Sequence, residues 1–294
     1  MTSGSLGFLG LGLLGSALAE RALAGGFEVV GFDLSESCRA NLQKLGGQPK
    51  SSASEVASFC RRLVLALPDD NVCREVLAEI DSALIKGTVV IDTTTGDPDG
   101  MSALGRTLAE RGVTYLDAAI SGSSAQVRLG EALMMVGGPA ETFVECQDLF
   151  HVLAREALHI GPCGSGAKMK LVTNLVLGLN RAALAEGLVF AAALGLTPEQ
   201  TCEILRASMA YSRIMDTKGS KMLQGDFEPQ AKLAQHRKDV DLMLAAAART
   251  GQHLPLSETH RIVLEYAERL GLGQLDNSAI VRAIEQMPLQ ERPE

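Results

Sequence analysis

The sequence predicts an α/β fold: a doubly wound, mainly parallel sheet in the N-terminal half, joined by one long helix to an all-helical C-terminal half. Three observations predict it. Short apolar runs alternate with helical patterns through the first half of the chain. A glycine-rich break, Gly161-Pro162-Cys163-Gly164-Ser165-Gly166, then ends the alternation. Beyond it the chain reads as helix after helix, broken by Gly and Pro, with no strand alternation as far as Gln286. A chain of 294 residues is long enough for two domains, and the break places them at 1–162 and 163–294.

The first strand is expected at Leu6–Leu9, a wholly apolar stretch apart from Gly7. Gly10-Leu11-Gly12-Leu13-Leu14-Gly15 follows, then a helix from Ser16 to Ala24. Gly25-Gly26 punctuates, and a second strand, Val29–Phe32, runs into Asp33. Strand, tight turn, helix, strand and acid is the pattern of a dinucleotide-binding unit, and each part has a physical reason. Gly10 permits the sharp turn, Gly12 lets a pyrophosphate approach the backbone, and Gly15 lets helix and strand pack closely. Free N–H groups at the helix start hold the phosphates. Asp33, 18 residues past Gly15, accepts hydrogen bonds from the adenosine ribose hydroxyls. The expected cofactor contacts here are Gly10, Leu11, Gly12, Leu13, Leu14, Gly15, Asp33 and Leu34. A secretory signal competes for the same leucine-rich run. It lacks a basic n-region, and three spaced glycines would break the apolar helix that a signal needs.

Further strands are expected at Leu63–Leu67, Val89–Ile91, Tyr115–Ala118 and Leu133–Val136, with helices at Glu36–Leu45, Asn71–Leu84 and Gly100–Arg111. Ligands of open α/β sheets bind at the carboxyl ends of strands. Three such ends carry polar or turn residues: Pro68-Asp69-Asp70, Asp92-Thr93-Thr94-Thr95 and Ser121-Gly122-Ser123. They are the expected walls of a site, with Leu67 and Pro68 among its cofactor contacts. The long helix is expected over 166–194. Its length approaches a membrane span, but Asn174, Asn180, Arg181 and Glu186 would each be costly in lipid, so it reads as a helix buried in protein. Met1–Gly4 and Pro288–Glu294 read as frayed ends.

Composition narrows the partners. Aromatics are only 4% and Trp is absent, so the core must be aliphatic. The net charge of −8, with no Lys/Arg run, argues against nucleic acid or an anionic membrane as partner. The six cysteines are scattered without a C-x-x-C spacing, which reads as reduced thiols in a cytoplasmic protein. No His spacing suggests a metal site.

Lys170 is the expected catalytic residue. It stands one turn into the long helix, just past the glycine-rich break, and Asn174 follows at i+4 on the same face. A Lys among aliphatics is partly desolvated, which makes its amine usable as a general acid/base. The bland alternative is a Lys that snorkels at a helix terminus. Lys168, nearer the end, is expected to be solvated.

Five segments together resemble the β-hydroxyacid dehydrogenase family, and the resemblance spans nearly the whole chain. Gly7-Phe8-Leu9-Gly10-Leu11-Gly12 with Gly15 is similar to the family's cofactor signature. Asp92–Thr95 resembles its D-x-S-T segment, and Asp117–Ser123 its D-A-P-V-S-G-G substrate loop. Gly161–Asn174 resembles its G-x-x-G-x-G…K-x-x-N-N helix, and Lys238-Asp239 a K-D pair. The resemblance implies a Rossmann domain joined by a long helix to a helical domain. It implies Lys170 as general acid/base, with Asn174 orienting substrate. Ser121 and Gly122 would hold a carboxylate, and Thr95 and Lys238 would touch the cofactor.

Four departures stand out: Ala119 for a proline, Ser123 for a glycine, Thr173 for the first Asn, and Ala231 where members often carry Phe; all but the Thr173 change bear on pocket shape. Ser123 is counted with the substrate contacts, because its hydroxyl falls where substrate is expected. NADP-using members often carry Asn-Arg where this chain has Asp33-Leu34. A carboxylate repels a 2′-phosphate, so NAD is expected over NADP. The expected activity is interconversion of a short 3-hydroxy acid and its semialdehyde or 3-oxo acid. An imine reductase and a catalytically silent dinucleotide-binding protein are the alternatives. The long apolar helix also suggests a homodimer or homotetramer.

Overall fold

The computed structural model describes residues 4–288. The expectation of frayed ends falls mostly on residues 1–3 and 289–294, outside the described residues. The chain divides into two compact units, Met1–Lys170 and Leu171–Glu294.

The first unit alternates strands and helices: β1 Leu6–Leu9, α1 Leu13–Ala24, β2 Val29–Phe32, α2 Glu36–Lys44, β3 Gln48–Pro49, α3 Ala53–Phe59, β4 Arg62–Leu65 and α4 Asp70–Glu79. It continues with β5 Val89–Asp92, α5 Pro98–Ala109, β6 Thr114–Ser121, α6 Ser124–Arg128, β7 Leu133–Gly137, α7 Ala140–Glu145, α8 Gln147–Leu153 and β8 Glu156–Gly161. One sheet forms in the order β3-β2-β1-β4-β5-β6-β7-β8. All neighbours are parallel except β6 and β7. The order reverses at β1, which lies between β2 and β4, so the connections after β1 and β4 leave on opposite faces and open a crevice between them. Alternation along each strand feeds two aliphatic cores. Leu6, Phe8 and Val64 face one, and Leu9, Leu63 and Leu65 face the other.

The structure corrects several expected boundaries. Helix α1 begins at Leu13, because Gly12 is its N-cap, so Leu13, Leu14 and Gly15 form its first turn. Strand β4 stops at Leu65, leaving Leu67 in the loop. The expected helix to Leu84 ends at Glu79 and is followed by a 3-10 turn at Asp81–Ala83. Strand β6 runs on to Ser121, since antiparallel pairing with β7 sets Ala119 opposite Met135. Ala119 is therefore a buried sheet residue and not part of a loop. Two strands lie outside the expected set. β3 has only two residues, and β8 has no clean alternation, being partly exposed at the sheet edge.

The second unit is helical. The long helix α9 spans Ser165–Ala193, and α10 Pro198–Ala207, α11 Ile214–Gln224, α12 Leu233–Thr250, α13 Pro255–Arg269 and α14 Ile280–Gln286 follow. Leu171, Leu184, Ala185 and Leu188 of α9 enter its core with Val240, Met243, Leu264 and Ile280. The expectation of a buried helix holds on one stripe only: Val172, Val176, Leu177 and Phe190 are exposed. The helix is long and apolar enough to cross a membrane by length and composition alone. Its first turns, up to Lys170, belong to the first unit, where Ala167 joins the sheet core.

Candidate active site

The glycine turn does what its spacing suggests. Gly10 has φ +91°, a conformation that side chains other than glycine rarely adopt. A Cβ on Gly15 would overlap the Gly10 carbonyl oxygen, so α1 can approach the turn only with glycine there. A Cβ on Gly12 would meet nothing within 4 Å: the space in front of that backbone is open. Gly12 caps α1 without a side-chain bond, which leaves the first-turn N–H groups to an incoming anion.

Asp33 closes the unit. Its Oδ2 accepts from the Leu11 N–H at 2.7 Å and its Oδ1 from the Ser35 N–H at 2.8 Å. Each oxygen keeps a lone pair for a ribose hydroxyl. Leu34 is 91% exposed and contributes no charge. Arg39, which no sequence motif singles out, donates through Nη1 to the carbonyls of Asp33 (2.6 Å) and Leu34 (3.1 Å). It stands in the first turn of α2, five residues past Leu34, and that proximity to the acid was the available signal. An open backbone at Gly12, a bare helix start and an acid with spare lone pairs fit a dinucleotide.

A buried network shapes the next two strand ends. Tyr115 donates to Asp92 Oδ2 at 2.6 Å, and Asp92 Oδ1 accepts from the Thr94 N–H at 2.9 Å. Thr94 Oγ1 in turn accepts from the Leu67 N–H at 3.2 Å and from the Cys73 thiol at 3.2 Å. Burial pushes the Asp92 carboxyl, the Tyr115 hydroxyl and the Cys73 thiol all upward. The network ties the loop that carries Leu67 and exposed Pro68 to the loop that ends in half-buried Thr95.

At the end of β6 the sheet meets the start of α9. Asp117 accepts from the N–H groups of Gly164 (2.7 Å) and Ala167 (2.8 Å), so a sheet carboxylate caps the long helix. Burial raises this carboxyl even though both N–H donors oppose the shift. One turn on, the Lys170 Nζ donates to the Ile120 carbonyl at 2.6 Å. That places the amine beside the strand end where Ser121 and Gly122 follow, while Lys168 is exposed. Gly122 has φ +147°. Ser123 serves the local fold. Its hydroxyl oxygen accepts from the Gln126 N–H at 3.3 Å, and the Gln126 side-chain oxygen accepts from the Ser123 N–H at 2.9 Å.

In the second unit, Asn174 is buried and its Nδ2 donates to Asp239 Oδ2 at 2.9 Å. The sequence marks Asp239 only through its place in the K-D pair. Lys238, beside it on α12, is half-buried. Ala231 is exposed, and its N–H donates to Asp276 at 3.2 Å. Thus the first unit brings together the glycine turn with Asp33, Leu67 with Thr94, and Lys170 with the end of β6. The second brings Asn174 to Asp239.

Known proteins match both parts of the chain. Residues 5–161 match the family described as the NAD-binding domain of 6-phosphogluconate dehydrogenase. Residues 164–284 match the one described as the NAD-binding domain of NADP-dependent 3-hydroxyisobutyrate dehydrogenase. The chain is 32% identical to 2-(hydroxymethyl)glutarate dehydrogenase of Eubacterium barkeri, over 96% of this chain and 95% of that protein. It is 30% identical to L-threonate dehydrogenase of Cupriavidus necator, over 95% and 96%. The crystal structure of 3-hydroxyisobutyrate dehydrogenase from Salmonella typhimurium superposes with a TM-score of 0.88 at 25% identity, covering 95% of this chain and 99% of that one.

Proposed function

This chain belongs to the β-hydroxyacid dehydrogenase family, and from that premise we propose that it is an NAD-dependent oxidoreductase interconverting a short 3-hydroxy acid and its semialdehyde or 3-oxo acid. The observation that carries the reading is the Lys170 amine held on the Ile120 carbonyl at 2.6 Å, one residue before Ser121. A bound nicotinamide would supply the hydride acceptor or donor. The turn from Gly10 to Gly15, with Asp33, would hold the dinucleotide, and Leu67, Pro68, Thr95 and Lys238 would add contacts.

Lys170 takes the hydroxyl proton on oxidation and returns it on reduction, acting at its Nζ. Ser121, the Gly122 N–H and Asn174 hold the substrate carboxylate, so the reacting carbon is oriented before transfer. A polar acid is the favoured substrate. Its support is the similarity to L-threonate dehydrogenase and 2-(hydroxymethyl)glutarate dehydrogenase, whose names carry polar acids. The Ser123 hydroxyl adds less than its position suggested, because its oxygen already serves the α6 cap. The exposed apolar stripe Val172, Val176, Leu177 supports a homodimer or homotetramer. Six free thiols accord with a cytoplasmic setting.

Nicotinamide absorbance with 3-hydroxyisobutyrate, glycerate, threonate and a set of cyclic imines tests the reading. Turnover of the acids supports it, with threonate and glycerate ahead of 3-hydroxyisobutyrate. Turnover of imines alone would make the chain an imine reductase. NADH binding without any turnover would make it a silent dinucleotide binder.

A further inference from the structure

The end of β6 and the start of α9 are joined at two points, three residues apart on each element. Asp117 makes the first: its Oδ1 accepts from the Gly164 N–H at 2.7 Å and its Oδ2 from the Ala167 N–H at 2.8 Å. Ile120 makes the second, its carbonyl accepting from the Lys170 Nζ at 2.6 Å. One buried carboxylate thus spans the residue before the helix and the third residue within it. Both N–H groups are among those that a helix start leaves without an intrahelical partner. By strand alternation Asp117 shares a face of β6 with Tyr115, the face on which Ala167 joins the core. The Ile120 side chain enters the opposite core, so what Ile120 offers the helix is its main chain.

Backbone packing leaves the helix start no slack. A Cβ on Gly166 would overlap the Met135 carbonyl oxygen and lie 2.5 Å from that of Asp117. A Cβ on Gly137 would overlap Asp117 Oδ1 and lie 2.9 Å from the Gly166 nitrogen. The first turn of α9 therefore rests directly on the backbones of β6 and β7, with the Asp117 carboxylate filling the junction. Beyond Asp117, strand β6 is paired on one edge only. Its ladder with β5 ends at the Asp92–Asp117 pair, while its ladder with β7 runs on to Ser121. The Ile120 carbonyl stands in that overhang. Three residues advance about 10 Å along a strand but only about 4.5 Å along a helix, so the Lys170 side chain makes up the difference. Any shift of the helix start carries the amine with it, because Lys170 stands one turn past the clamp.

We propose that Asp117 is a positioning residue for the Lys170 amine, clamping the start of α9 to β6 so that Nζ arrives at the strand end that carries Ser121 and Gly122. Its two hydrogen bonds set the height and rotation of the first turn on the sheet, and Lys170 is the next side chain of the helix to bond β6. With one of those bonds lost, the turn can lift or rotate, and a displacement of about 1 Å in a reacting group costs on the order of a hundredfold in rate. The substrate loop is held separately, by the reciprocal Ser123–Gln126 bonds at the start of α6, so its hold on a carboxylate does not depend on the clamp. The proposal rests on reading Lys170 as the general acid/base.

The test is a double-mutant cycle of Asp117→Asn and Lys170→Ala, with Leu153→Ala as a control for stability alone. Asparagine keeps the shape of the side chain but turns one acceptor into a donor, so one of the two helix N–H groups loses its bond. Leu153 is buried in the core on the other face of the sheet, and its truncation destabilises without touching the clamp. The readouts are kcat and KM for whichever acid of the panel turns over fastest, the NADH dissociation constant by fluorescence titration, and the thermal midpoint, with kinetics measured below every midpoint. Asp117→Asn should lower kcat about ten- to a hundredfold, with KM and the NADH constant changed by less than about threefold. In the Lys170→Ala background the same substitution should change kcat by less than about threefold, because the group it positions is gone. Leu153→Ala should lower the midpoint and keep kcat within about threefold of the parent's. An equal loss of kcat in both backgrounds means that Asp117 acts apart from the lysine and overturns the proposal. A kcat loss matched by Leu153→Ala at a similar midpoint makes Asp117 merely structural and does the same, as do even losses in kcat, KM and NADH affinity. Should Asp117→Asn not fold, Asp117→Ser, whose smaller side chain leaves room for a bridging water, is judged by the same outcomes. If Lys170→Ala leaves turnover near the parent's, the acid/base reading has failed and the proposal falls with it. If Lys170→Ala cuts turnover and Asp117→Asn does not, only the Asp117 proposal falls.

Discussion

The backbone N–H of Leu11 donates to the Asp33 carboxylate at 2.7 Å, so the acid that follows the second strand is fastened to the turn that follows the first. One side chain thereby fixes the turn and also keeps a negative charge where an adenosine ribose would lie.

Cofactor choice should follow from that charge and from its neighbour. Asp33 disfavours a 2′-phosphate, while Arg39, bonded to the Asp33 and Leu34 carbonyls, places a cation close by. NADH should be preferred to NADPH in catalytic efficiency. Asp33→Asn should narrow the preference by about tenfold, and Arg39→Ala should widen it. Steady-state kinetics with both cofactors decides; a parent enzyme that prefers NADPH would contradict the assignment.

Gly12 and Gly15 should separate function from stability. A Cβ at 12 meets open space, whereas one at 15 meets the Gly10 carbonyl. Gly12→Ala should therefore cost at most about 1 kcal/mol of stability, the scale of an N-cap effect, while weakening NADH binding about tenfold or more. Gly15→Ala should lower the melting temperature before cofactor is added. Equal melting temperatures for the two variants would count against the packing argument.

Lys170 should dominate the chemistry. Lys170→Ala should cut turnover by roughly two to four orders of magnitude with little change in NADH affinity. Lys168→Ala, at an exposed position, should stay near the parent. A Lys168 variant more damaged than the Lys170 variant would reverse the assignment.

His260 should make stability depend on pH. Its ring is held neutral when folded, with a pKa pushed down to about 4 from 6.5. Between those values the unfolded chain binds more protons, so stability falls as pH drops through that window. From pH 7 to pH 5 the parent should lose about 2 kcal/mol more than His260→Phe. Denaturant melts at the two pH values measure the difference, and parallel losses would rule out this role for His260.

What the sequence made legible was local. The glycine turn, the first two strands and the long helix each rest on spacing within a few residues of themselves, and they stand within a few residues of their expected ends. Strand β3 was not legible, because two residues become a strand only by pairing with β2. The run Ala119–Ser121 looked like a loop because its strand character comes from β7, more than ten residues downstream. Arg39 stayed silent for a similar reason. Its partners are the Asp33 and Leu34 carbonyls, and no spacing rule reports those. Lys170 was the intermediate case: its helix face was readable, but its acceptor at Ile120 was not.

One atom that steadies the Lys170 amine belongs to the main chain. Genetic drift can replace the side chain at position 120 but cannot remove its carbonyl. Any residue that fits the sheet there presents the same oxygen, so the amine keeps its bearing while the neighbouring wall is free to change. Variation at position 120 therefore leaves this contact in place, whatever else the pocket comes to bind.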